Sequence, residues 1–120
     1  MKNINQTSAS QMKAELIQSM KLLLSRELNP LLLDALKSVF PSVSIAFVLN
    51  WIPEQAEDIY WLLVDGNRIL IAEIPRSNVK SISDISVEEI PLVEFEARPL
   101  SLVSRRKLRA AVELTRELRN

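Results

Sequence analysis

Five cations near the end of the chain, Arg105, Arg106, Lys107, Arg109 and Arg116, are the residues whose type and spacing most invite chemistry. Guanidinium groups are planar forks of donors that match carboxylate and phosphate. Most of the five fall at the start of the stretch LVSRRKLRAAVELTREL, residues 102–118, which reads as a helix. Cations at a helix N-terminus oppose the macrodipole and are unfavourable by roughly 0.3–1 kcal/mol each. Something acidic, in the protein or outside it, is therefore expected to compensate them. On a wheel of 100° per residue, Leu108, Ala111, Val112, Leu114, Thr115 and Leu118 make one apolar stripe. Arg105, Arg109 and Arg116 form a ridge beside it, with Glu113 and Glu117 further round. That placement predicts that Arg105 and Arg109 contact the protein's own acids, with Glu88, Glu89, Glu94, Glu96 and Glu113 in reach of sequence-based pairing. It also predicts that Arg106 points to solvent and that Lys107 lays its stem along the stripe. The external alternative is an anion site for phosphate, nucleic acid or an acidic protein surface.

Other chemistries find little support. The chain has no cysteine and no histidine, which removes thiolate metal sites, cysteine nucleophiles, Ser-His triads and the usual general base together. Glu54, Glu57 and Asp58 lie beside Trp51, Tyr60 and Trp61, a pairing of acids and aromatics that can line a carbohydrate cleft. A solvated turn between strands explains the same acids more simply. There is no glycine-rich phosphate loop, zinc-finger spacing, aromatic RNA-binding pattern or calcium loop, and no cofactor is expected. Trp51, Tyr60 and Trp61 read either as core or as interface anchors, since Trp and Tyr are enriched where partners bind.

Net charge is zero, yet it is unevenly spread: residues 54–96 hold ten acids and three cations, and residues 97–120 hold seven cations and two acids. A domain built for nucleic acid carries a basic excess overall, so nucleic acid ranks below a protein partner. No apolar run approaches the ~20 residues of a membrane span, and the start, MKNINQTSASQMK, has no apolar stretch of the secretory kind. A cytoplasmic protein without a membrane partner is expected.

The elements that must position these residues are legible from periodicity and punctuation. At 120 residues the chain reads as one α+β domain, 1–120, with residues 1–7 as a tail. Ser8 and Gln11 resemble a capping box ahead of Met12, Leu16, Met20, Leu23 and Leu24 at helical spacing, a helix ending near 26–28. Asn29-Pro30 starts a second helix, apolar nearly all round, that Pro41 stops. Residues 42–52 read as a strand, and residues 58–74 as a hairpin about Asp65-Gly66-Asn67, the position of the only glycine. Both faces of that hairpin are apolar, so both need cover, and cover beyond what the chain supplies would come from a partner, a second copy included. Between Pro75 and Pro91 the reading is a loop or short helix begun at Ser83 or Ser86, and the alternation of Leu92 to Arg98 predicts an edge strand. The expected fold is two N-terminal helices, a mostly antiparallel meander of about four strands, and a C-terminal amphipathic helix.

These readings converge on a small non-enzymatic interaction or regulatory module that binds a protein. Immunity proteins, antitoxins and adaptors share its size and neutrality, by analogy of class alone.

Overall fold

The computed structural model describes residues 9–120; the expected tail and the Ser8 cap lie outside them. The first helix, α1, spans Ala9–Leu24, and α2 spans Pro30–Val39. Between them the chain reverses at Arg26, whose φ is +71°, held by a Leu28 N–H to Leu22 carbonyl bond of 3.0 Å and an Arg26–Asp34 ion pair of 2.9 Å. Asn29 caps α2 by accepting from Leu31 N–H at 3.0 Å, and Pro30 occupies its first turn.

A four-stranded antiparallel sheet follows in the spatial order β1-β2-β3-β4: β1 Ala46–Pro53, β2 Glu57–Val64, β3 Arg68–Pro75 and β4 Ser86–Pro91. The alternation of the central hairpin sorts its side chains into two cores. Tyr60, Leu62, Val64, Leu70, Ala72 and Ile74 pack with Leu32, Leu33, Ala35 and Leu36 of α2. Leu63 and Ile69, with Phe47, pack on the other face with Phe95 and with Leu108, Ala111 and Leu114 of the last helix, α4, Leu102–Arg119. Helix α1 lies along the β1 edge and contributes to both, with Leu16 in one core and Leu23 in the other. It also repairs the edge. The register of β1 slips between Val48 and Asn50, and the Ser19 hydroxyl accepts the Val48 N–H at 3.1 Å while donating to the Leu16 carbonyl at 2.6 Å. Both faces of the sheet are thus covered by the chain's own helices, and burying the core requires no second copy.

Two expectations need correction. Residues 92–98 are not the edge strand: Leu92–Glu96 form the short helix α3, which buries Phe95 and leaves Val93 80% exposed. The fourth strand is the preceding segment, and the short helical turn is Ile82–Asp84, capped at Ser81 with Asp84, not begun at Ser83 or Ser86. As an edge strand, β4 buries only Ile90 fully, so its Glu88-Glu89 pair hides the strand signal.

The hairpin turn brings the backbone close against α4. Asp65 and Gly66 both have positive φ, +49° and +81°, as a primed turn requires. A Cβ on Gly66 would stand 2.8 Å from Cγ2 of Thr115, which is buried in α4 and bonded to the Ala111 carbonyl. Gly66→Ala is expected to destabilise the fold by about 1–2 kcal/mol from backbone strain alone, and by more through the contact. Thr115→Ser, which removes that methyl, should recover part of the loss in the double variant. Denaturant midpoints of the four proteins measure this, and strict additivity would refute the contact.

Candidate functional site

The cationic helix α4 is capped by Ser101, whose hydroxyl accepts from Ser104 N–H at 3.1 Å. Leu108, Ala111, Leu114 and Thr115 are buried as the wheel requires, Val112 is half-buried, and Leu118 is exposed. Ala110 is buried too, because α1 packs on that flank. There Lys13 takes both Glu117, at 2.5 Å, and Glu113, at 3.5 Å. Glu88 and Glu89 are taken by Arg98 and Arg68 at 3.7 and 2.7 Å. The acids expected to neutralise α4 are therefore largely occupied elsewhere.

The cations divide accordingly. Arg105 does reach into the protein, but to backbone carbonyls and not to carboxylates: its guanidinium donates to the Glu96 and Arg98 carbonyls at 3.3 and 2.9 Å, at the end of α3. Arg109 and Arg116 are exposed and have no hydrogen-bond or ion-pair partner among the described residues, which corrects the expected Arg109–acid contact. Arg106 is exposed to solvent and Lys107 half-buried, neither of them paired there. Arg105, Arg109 and Arg116 line one side of an open groove of about 430 Å³, with Leu108 and Val112 as its apolar part and Glu96 and Glu113 as its acids. Three guanidinium groups against two carboxylates leave that groove locally positive in a neutral protein.

The aromatic residues do not form one cluster. Trp61 is half-buried on the α4 face, edge-on to Phe95 with ring centroids 5.6 Å apart. Tyr60, one residue earlier, is 6% exposed on the opposite face. Trp51 is 56% exposed, and its indole N–H donates to Asp58 at 3.0 Å. Asp58 is also held by Arg76 at 3.0 Å. The Arg76 hydrogen bond first, and the Trp51 bond after it, keep the Asp58 carboxyl below the usual carboxylate range against an opposing effect of burial. Glu54 and Glu57 do not join this arrangement: the contact between them is a backbone one, Glu54 N–H to the Glu57 carbonyl. Sequence reasoning missed Arg76 and its role in holding Asp58, since nothing in its neighbourhood signals the return of β3 beside the β1–β2 connection.

Among the described residues no cluster of acids is arranged to hold a metal ion, and no helix is long and apolar enough to cross a membrane. The chain matches no protein-family model, and neither a curated protein nor a solved structure matches it.

Two outcomes follow from this geometry. Because folding lowers the Asp58 pKa, its stabilising contribution is complete above the unfolded value of about 3.9 and is lost as pH falls through the lower folded value. Asp58→Asn should remove that part of the acid dependence, and the Trp51 indole N–H resonance should move over the same range in the parent protein only; identical acid profiles would refute the pairing. Arg105→Ala should destabilise the fold by about 0.5–1.5 kcal/mol through its two carbonyl bonds. Arg109→Ala should stay within about 0.5 kcal/mol of the parent. Equal losses in chemical denaturation would contradict this division.

Proposed function

We propose that the protein is a non-enzymatic interaction module that binds an acidic segment of a protein partner along the α4 groove. The observation that carries this reading is the pair Arg109 and Arg116, exposed beside half-buried Val112 and without an internal partner among the described residues. Arginines in that setting keep their full capacity for bidentate pairing with carboxylates. Half-buried Val112 beside them gives a partner side chain something to bury. Arg105, anchored to backbone, adds a third guanidinium whose position is already fixed, so less ordering is required on binding.

A protein segment suits this groove better than a nucleic acid. Arg106 and Lys107 project from other sides of α4, so the cations do not form a continuous track for phosphates, and Glu96 and Glu113 sit in the groove itself. A peptide can place its acids opposite the arginines and avoid those carboxylates, whereas a uniformly charged backbone cannot. A chain without cysteine has no need of an oxidising compartment, which suits a cytoplasmic setting.

The test compares the parent protein with the Arg109→Glu/Arg116→Glu variant as affinity baits, with protein and nucleic acid both identified in what is retained. Loss of a protein partner by tenfold or more, with folding stability unchanged within about 0.5 kcal/mol, is the expected result. Retention of that partner by the variant would overturn the reading. Nucleic acid lost in its place, with affinity falling steeply as salt rises, would assign the groove to phosphates.

A further inference from the structure

We propose that a second groove, between α1 and the adjoining ends of β1 and β2, is a binding site for a small aromatic monocation. It shares no residue with the α4 groove and stands independently of the function proposed for that surface. The groove measures about 470 Å³ and is formed mainly by Leu22, Leu28, Val48, Trp51 and Tyr60. That size falls in the range of small-molecule sites, roughly 300–1,000 Å³, whose usual make-up is an apolar wall with a few placed polar groups.

The polar side chains lining the groove are Glu15, Gln18, Ser19 and Tyr60; Arg76, the cation whose charge is felt at Tyr60, is neutralised by its ion pair with Asp58 and leaves Glu15 to set the sign of the site. Tyr60 is more than nine-tenths buried, yet its hydroxyl forms no hydrogen bond within the described residues and is not sealed from solvent. A buried phenol normally finds a partner, so this one is available to a group in the groove. The Ser19 hydroxyl, by contrast, is spent on Leu16 and Val48. Glu15 is the one ionised side chain lining the groove, and it has no ion-pair partner among the described residues. A carboxylate beside an apolar wall favours a cation and repels an anion.

Trp51 supplies the recognition surface. An indole left 56% exposed would ordinarily sample several rotamers, but its N–H is fixed to Asp58, which Arg76 holds in turn. The ring is thus presented in one orientation at the groove. An aromatic ring can stack on it, and an ammonium group near its face gains from the ring quadrupole. A flat apolar body with a single ammonium therefore satisfies the indole, the Glu15 carboxylate and the Tyr60 oxygen together.

The probe is phenethylammonium, titrated into the full chain and followed by the two tryptophan indole N–H resonances, with Trp61 as the internal reference. A saturable shift of Trp51 that leaves Trp61 in place is expected. Glu15→Gln and Tyr60→Phe should each weaken binding by about threefold or more, and Trp51→Ala should abolish the heat of binding in titration calorimetry, with the Trp61 resonance retained as evidence of folding. Phenylacetate, which reverses the charge on the same ring, should give no saturable shift. The proposal is overturned if phenylacetate or neutral benzyl alcohol binds as tightly, or if no saturable shift appears. It is also overturned if sedimentation shows a dimer that Trp51→Ala dissolves, which would assign the groove to a second copy.

Discussion

The three-residue turn Asp65–Asn67 is the constraint on which the remaining architecture depends. Its two leading residues adopt positive φ, and Gly66 lets α4 approach the backbone closer than any side chain would permit. Asp65 uses one carboxylate oxygen to receive the Ser44 N–H and hydroxyl and the Ile45 N–H, at 3.0–3.3 Å, and Arg119 at the far end of α4 pairs with the same oxygen at 3.3 Å. The Asn67 carbonyl receives Leu92 N–H, the first amide of α3, at 3.0 Å. The approach to β1, the start of α3 and the end of α4 are thereby registered to one turn. With α4 fixed at that end, and Arg105 fastened to α3 at the other, the helix has little freedom to roll. Its arginine ridge faces outward as a result of how the opposite face is held.

Helix α1 decides the electrostatics on either side of the molecule. Lys13 draws off the two glutamates of α4 that could otherwise have shielded Arg109 and Arg116. Two positions along, Glu15 contributes an unpaired carboxylate to the apolar groove on the other flank. Local charge at both grooves thus follows from the phase of one helix, in a chain whose overall charge is zero.

The sequence made the central hairpin plain because its only glycine sits between two short apolar runs of strand-forming residues, and a strand is a property of neighbouring residues. The fourth strand was misplaced for the same kind of reason. Over a span as short as Leu92–Ala97 a period of two and a single helical turn look alike, and Phe95 is the one residue that α3 buries. In β4 the signal is suppressed by solvent on the outer edge, which lets Glu88 and Glu89 stand where a central strand would need apolar residues. The ridge on α4 could be read from helical phase alone. Which acids it would find could not, since Lys13 and Arg68 reach those acids from elements distant in sequence. Trp51 was recognisable as a candidate anchor, but its fixation depends on Arg76, which arrives from the end of β3.

The meeting of α1 with α4 joins residues 104 apart in sequence, Lys13 and Glu117, whereas every strand pairing in the meander is between neighbours in the chain. Closing the longer loop costs more conformational entropy and delays the contacts that reward it. During synthesis the sheet, α1 and α2 are available before α4 exists, so the face of Phe47, Leu63 and Ile69, which α1 and Phe95 cover only in part, stands partly bare until residues 102–119 emerge. At roughly 5–20 residues per second, the nascent chain carries that bare apolar surface for a time on the order of seconds, and the last helix acts as the lid that ends it.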